Sequence, residues 1–144
     1  MVWRIYKFTE NNDELQAAFD IRRQVFIEEQ GVPEEIEMDD YDVEALHIIV
    51  TEGRMPVATA RLRFPEDRLA KIERMAVLKD YRRLGIGTEM ISFILDELAE
   101  RQVEEALLHA QSRAVDFYKS CGFKVTSGTF LEADIEHVEM RKQI

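Results

Sequence analysis

From Val2 to Phe8 aliphatic and aromatic residues alternate with polar ones, and this period of two predicts a β-strand. Asn11 or Asn12 then stands where a helix cap belongs. Beyond it Leu15, Ala18, Phe19, Arg22 and Phe26 fall on one face of a helix running to about Glu28. Glu29 to Glu44 breaks the rhythm: it is acidic, carries Gly31 and Pro33, and predicts a loop with room for one short helical turn. Three strands follow, Leu46 to Glu52, Val57 to Phe64 and Ala70 to Val77, with turns expected at Gly53-Arg54-Met55-Pro56 and Pro65-Glu66-Asp67-Arg68. A glycine-bearing loop after Lys79-Asp80 leads into a helix ending near Arg101. Its Met90, Ile91, Phe93, Ile94, Leu95 and Leu98 form a broad stripe suited to packing on a sheet. Ala106 to Ala110 predicts a buried strand, and Ser112 caps a helix from Arg113 to Ser120 with Gly122 just past its end. Phe123 to Thr126 and Ile135 to Arg141 predict a closing antiparallel pair.

The resulting order, β-α-β-β-β-α-β-α-β-β, joins a central meander to crossover units, so the expected fold class is α/β (α+β) with a mixed sheet. The chain of 144 residues has no internal repeat and no linker, which predicts a single domain over 1–144. Hydrophobic residues at 46% and charged residues at 33% fit a globular protein and exceed what disorder allows. The net charge of −10, with no basic stripe, opposes binding to nucleic acid. An acidic surface suits a cationic amine, although it serves solubility equally well. The single cysteine, Cys121, forms no internal disulfide, and no apolar run approaches the ~18 residues of a membrane helix. The expectation is a soluble cytoplasmic protein that engages no membrane. His47, His109 and His137 lack metal-ligand spacing, so no metal is expected, and His109, inside a predicted buried strand, reads as a core residue.

Arg82-x-x-Gly85-x-Gly87, between a predicted strand and a long helix, carries the most specific chemistry. Glycines let the backbone approach a ligand closely, and a helix start offers unpaired N–H groups with partial positive charge. With Arg82 and Arg83 beside them, these groups make a nest for a diphosphate. The pattern is neither the dinucleotide fingerprint nor a Walker loop, which both need other spacings, and a simple tight turn is the competing reading. In its setting, Met75-Ala76-Val77 before it and Leu84, Ile86 and Thr88 within it, the loop resembles the acyl-CoA loop of the GNAT N-acetyltransferase superfamily. The resemblance implies an acetyl-CoA co-substrate. Backbone groups of Met75, Ala76 and Val77 would meet its pantetheine arm, and the N–H groups from Arg82 to Thr88 would meet its diphosphate.

Ala114-x-x-Phe117-Tyr118-x-x-x-Gly122-Phe123 resembles a second GNAT stretch, in which the tyrosine faces the cofactor sulfur. The resemblance makes Tyr118 a general acid for the departing thiolate, in a direct attack of an acceptor amine on the thioester. The bland alternative is a core aromatic. Cys121 reads as structural, because the C-terminal end of a helix disfavours a thiolate. Glu73, placed by period two on the same face as Met75 and Val77, is a candidate base; the competing reading pairs it with Arg61 or Arg63 on the neighbouring strand.

Arg22-x-x-Val25-Phe26-x-x-Glu29-Gln30-x-x-Pro33 and the later spacing of Glu132, Ile135, His137 and Met140 resemble the ElaA/YjcF-type branch of that superfamily over nearly the whole chain. By this resemblance Glu29, Gln30 and His137 would line the acceptor pocket, and Glu37, Asp39 and Asp40 could face an amine. The charge pattern alone favours a solvated acidic loop. Two functions stay open: an N-acetyltransferase acting on an unidentified amine, and a non-catalytic acyl-CoA-binding module. C-terminal edge strands leave a homodimer open as well.

Overall fold

The computed structural model describes residues 3–9 and 12–144, so Asn11 and the side chain of Asn12, between which the first helix cap was expected, fall outside the description. Strand β1 (Trp3–Phe8) leads to α1 (Asn12–Arg22), which continues as a π-helical segment over Arg23–Glu29. One regular helix was expected to Glu28. The chain does stay helical to Glu29, but its last two turns are wound wide, and such segments favour functional positions. The buried face is Ala18, Ile21, Arg22 and Val25. A single helical turn, α2 (Glu34–Glu37), and a 3₁₀ turn (Asp40–Asp42) occupy the acidic loop.

Strands β2 (Leu46–Glu52), β3 (Met55–Glu66) and β4 (Leu69–Val77) form the antiparallel meander. Pro65 and Glu66 belong to β3 rather than to the turn, which is only Asp67-Arg68. The ladder slips between Arg63 and Glu66, and that irregularity accommodates a residue without an N–H. Helix α3 (Ile86–Glu100) carries the chain over to β5 (Glu105–Gln111), which runs parallel to β4. A 3₁₀ turn (Ser112–Ala114) and α4 (Val115–Ser120) follow, with Gly122 at φ 95° accepting the left-handed conformation that ends the helix. The sheet closes with β6 (Lys124–Val125), β7 (Phe130–Glu132) and β8 (Ile135–Gln143), in the order β1-β2-β3-β4-β5-β8-β6, with β7 also paired to β8. Strand β7 is the element the pattern did not predict; three residues are too few to show a period.

The sheet is mixed, and both faces are covered. On one face Leu46, Ile48, Val50, Ala60, Leu62, Ile72, Ala106, Leu108 and Met140 pack against Ile86, Met90, Ile91, Ile94 and Leu98 of α3. On the other, Ile49 and Ala76 pack against Ala18, Ile21 and Val25. This double covering is why β2 reads as a nearly continuous apolar run. Burial of each large aliphatic side chain of α3 stabilises the fold by roughly 1.5–3 kcal/mol. No helix among the described residues is long and apolar enough to cross a membrane.

Candidate active site

Strands β4 and β5 are hydrogen-bonded only from Leu69↔Glu105 to Ile72↔Leu108. Past that point they part, so Glu73–Val77 and His109–Gln111 form the two prongs of a fork. The cause lies in β4. Glu73 pairs with Arg61 and Ala76 with Thr59, so Ala60 spans both Arg74 and Met75, and Arg74 takes φ 54° as the extra residue of a bulge. Past Ile72 no strand pairs with β4 on its β5 side, which leaves room for a ligand in extended conformation, the arrangement by which sheets accept an added chain.

The fork opens into a cleft of about 860 Å³. Met75, Ala76, Val77, Arg82, Arg83, Gly85, Ile86, Gly87 and Thr88 line it, and of the predicted donor-binding residues only Leu84 does not; its side chain is exposed. The two glycines serve different ends. Gly85 has φ 89° and open space around it, so it is required by conformation. Gly87 is required by space: a Cβ there would meet Phe117 Cζ at 3.0 Å. The first intrahelical bond of α3 runs from Glu89 N–H to Gly85 C=O, leaving the N–H groups of the preceding turn to face the cleft. Arg82 works as a strut. Its Nε donates to the Val77 carbonyl at 2.8 Å and its two terminal nitrogens grip Glu29 at 2.8 and 3.0 Å.

That grip removes Glu29 from the acceptor role expected of it: both carboxylate oxygens hold Arg82, and Glu29 does not line the cleft. Gln30 does line it and accepts a hydrogen bond from Gln111 Nε2 at 2.8 Å, tying the π-helical segment to β5. The acidic loop is largely occupied too. Arg22, only 1% exposed, donates to Glu37 at 2.8 Å and to Asp42 at 2.7 Å. Arg61 binds Asp39 and Asp42, and Arg74 binds Glu37 and Asp39. Glu37 and Asp39 are thus clamps that dock the loop on the sheet; Glu37 also lines the cleft, Asp39 does not, and Asp40 is exposed outside it. Burial pushes Glu37 above the usual carboxylate range despite Arg74 and Arg22. At Asp42 the same effect is outweighed by hydrogen bonds and charge from Arg22, and its pKa falls.

Glu73 does not share a face with Met75 and Val77. The bulge at Arg74 reverses the alternation, so Met75 and Val77 join the α3 side while Glu73 lies on the opposite one with Arg61, Arg63 and Lys71. Burial alone would raise its pKa, but the Arg63 hydrogen bond and the charges of Arg61 and Lys71 dominate and lower it to about 2. Glu73 lines the cleft, and its carboxylate makes the arginine pairs that the competing reading expected.

Tyr118 lies on the α3 side of the fork, half-buried, with its ring edge-on to Phe117 at 5.0 Å and to Phe123 at 6.1 Å. Burial pushes the phenol above its ordinary value, so it stays protonated. Cys121 terminates α4 and is a free thiol outside the cleft. The opposite mouth is polar. His109, Gln111, Glu132 and His137 gather there, with His109 Nδ1 at 2.9 Å and His137 Nε2 at 3.7 Å from the two oxygens of Glu132. His109 is therefore a cleft residue and not a core one. On β5, Ala106, Leu108 and Ala110 fill the core, and the strand's alternation sends His109 the other way. Glu132 as a site residue was missed, although it stands five residues before His137 across a turn. Sequence alone could not pair it with His109, twenty-three residues away.

Residues 10–144 match the family model for the acetyltransferase (GNAT) domain. The chain is 39% identical over 133 residues to the uncharacterized N-acetyltransferase YjcF of Bacillus subtilis (strain 168), covering 92% of this chain and 94% of that one. It is 28% identical over 135 residues to protein ElaA of Escherichia coli (strain K12), covering 91% and 88%. The crystal structure of a putative N-acetyltransferase from Lactobacillus plantarum superposes with a TM-score of 0.92 at 26% identity, covering 99% of both chains. Forked strands, a glycine loop at a helix start and these relatives agree: the chain belongs to the GNAT acetyltransferase family, in the branch that includes YjcF and ElaA.

Proposed function

We propose that the protein transfers an acetyl group from acetyl-CoA to an amine by direct attack on the thioester, in the fork between β4 and β5. The fork carries the reading: it offers extended backbone to a pantetheine arm and has the helix start at Gly85–Thr88 at one end and Tyr118 beside it. In this reading Met75, Ala76 and Val77 meet the amides of the arm, and the N–H groups at the start of α3 meet the diphosphate with Arg83 nearby. The acceptor enters from the opposite face, past Gln30 and His137. Tyr118, held protonated, gives a hydrogen bond to the sulfur as charge develops there. Because burial lifts its pKa well above that of a thiol, it stabilises the thiolate as a donor more than it hands over a free proton.

Thermal unfolding with acetyl-CoA, CoA, ATP and NAD tests the donor site. A ligand at about 100 times its dissociation constant stabilises a fold by about 2.7 kcal/mol. Acetyl-CoA and CoA should raise the midpoint, ATP and NAD should not, and Gly85→Glu should abolish the rise. A folded protein indifferent to CoA overturns the assignment. Thiol release with a panel of primary alkylamines and anilines then separates an enzyme from a module that binds acyl-CoA without turnover.

A further inference from the structure

An alkylammonium such as that of lysine titrates near 10.4, so at neutral pH an attacking amine must be freed of a proton inside the site. Glu73 lines the cleft with its carboxylate engaged by Arg61, Arg63 and Lys71. His109 is the first residue of β5 beyond its last pair with β4, and its side chain is 24% exposed to the cleft. Its Nδ1 lies 2.9 Å from Glu132 Oε1, and a carboxylate only accepts, so Nδ1 carries the hydrogen and Nε2 the lone pair. Among the described residues no hydrogen bond engages that Nε2. The Phe130 ring packs against the imidazole edge-to-face, with centroids 5.0 Å apart and planes at 77°.

Glu132 is placed by the backbone of the closing hairpin. It ends β7 at the Ala133-Asp134 turn, both residues at positive φ, which swings β7 back onto β8. Its second oxygen faces His137 Nε2 at 3.7 Å, and His137 Nδ1 donates to the Ile135 carbonyl at 2.6 Å. The trio is not a metal site: among the described residues no three His, Cys, Asp or Glu side chains are placed to hold an ion. Other ionisable groups lining the cleft have partners of their own, Glu37 with Arg22 and Arg74, and Arg74 also with Asp39. Lys71 and Glu73 pair with each other, Glu139 is held by Arg141 and Thr126, Arg113 donates to Gln111, and Tyr118 is kept protonated.

We propose that His109 Nε2 is the base that deprotonates the acceptor ammonium, with Glu132 as the positioning residue that fixes its tautomer; this rests on acetyl transfer being the reaction of the cleft. The ammonium gives one proton to Nε2, and the imidazolium so formed is stabilised by Glu132. The amine nitrogen then bonds to the thioester carbonyl carbon and the C–S bond breaks, leaving its electron pair on sulfur. The second amine proton ends on the sulfur, and His109 releases the first to solvent. One ammonium and one thioester give one amide, one thiol and one proton.

The test compares wild type, His109→Ala, His109→Gln and Glu132→Gln at pH 7 by thiol release from acetyl-CoA, using benzylamine, an ammonium at that pH, and aniline, which is already a free base. A CoA-induced rise in unfolding midpoint, kept in every variant, shows that fold and donor site are intact. His109→Ala and His109→Gln should lose about 100-fold or more in kcat with benzylamine and under about tenfold with aniline. Added imidazole should restore His109→Ala by tenfold or more. Glu132→Gln should lower kcat about tenfold, leave KM unchanged, and gain nothing from imidazole. If wild type turns over but His109→Ala keeps its rate with benzylamine, or loses both amines equally without rescue, the proposal is overturned and the donor assignment stands. If wild type binds acetyl-CoA and acetylates neither amine, the enzymatic reading fails and this proposal with it.

Discussion

Replacement of Arg22 by methionine should unfold this protein more readily than any change on its surface. The guanidinium is 1% exposed and donates from Nε to Glu37, from both terminal nitrogens to Asp42, and to the Glu37 carbonyl at 2.6 Å. Methionine fills much of the volume but leaves two carboxylates, each 4% exposed, short of a partner. Breaking a buried ion pair from one side costs ~3–5 kcal/mol. Arg74 and Arg61 still serve Glu37 and Asp42, which places the cost at the lower end, about 3 kcal/mol. At ~2–4 °C per kcal/mol for a chain of about this size, the midpoint should drop by roughly 6–12 °C. Urea unfolding gives the free energy directly. Two further results follow from the mechanism. Losing a cation raises the folded-state pKa of Glu37 further. The penalty therefore belongs to the ionised form, and the cost of the substitution should be smaller at pH 5 than at pH 8. Adding Glu37→Gln to Arg22→Met should also cost less than the two single changes summed, by about 1 kcal/mol or more. A loss under 1 kcal/mol, or strict additivity with no pH dependence, refutes the view that this network is held by mutual compensation.

Gly85→Ala should cost about 1–2 kcal/mol through its positive φ, read by thermal unfolding, with Gly85→Asn costing less. Gly87→Ala should leave stability within about 1 kcal/mol, since better helix propensity offsets the Phe117 contact, while weakening acetyl-CoA binding measured by calorimetry. Tyr118→Phe should lower kcat by about 100-fold with little change in midpoint; an unchanged kcat would remove Tyr118 from the chemistry. Glu73, at about 2 in the folded protein, contributes stability that is complete above the unfolded carboxylate value near 4.3 and is lost as pH falls towards 2. The loss is about 3 kcal/mol, and Glu73→Gln should flatten this part of the acid-unfolding curve; an unaltered curve shows that the arginines do not hold Glu73 as the geometry implies.

What the sequence determined was whatever is encoded over a few residues. Alternating or continuous apolar runs placed β1 to β5 and β8, a helical apolar stripe placed α3, and Gly122 marked the end of α4, because apolar patterning and positive φ are local properties. The glycine loop and Tyr118 were legible for the same reason, each in its own short stretch. The tertiary structure decided everything that depends on which residue lies across from which. One extra residue at Arg74 reversed the facing of β4, so period two put Glu73 beside Met75 when it stands among Arg61, Arg63 and Lys71. Glu29, read as an acid kept for a substrate, found Arg82 fifty-three residues away. His109 looked like core until the parting of β4 and β5 opened a cleft beside it and a three-residue strand brought Glu132 to its ring. A bulge or a ladder's end shifts alternation for all that follows, and the compensation of a buried charge is a long-range fact, so neither leaves a mark in the residues immediately around it.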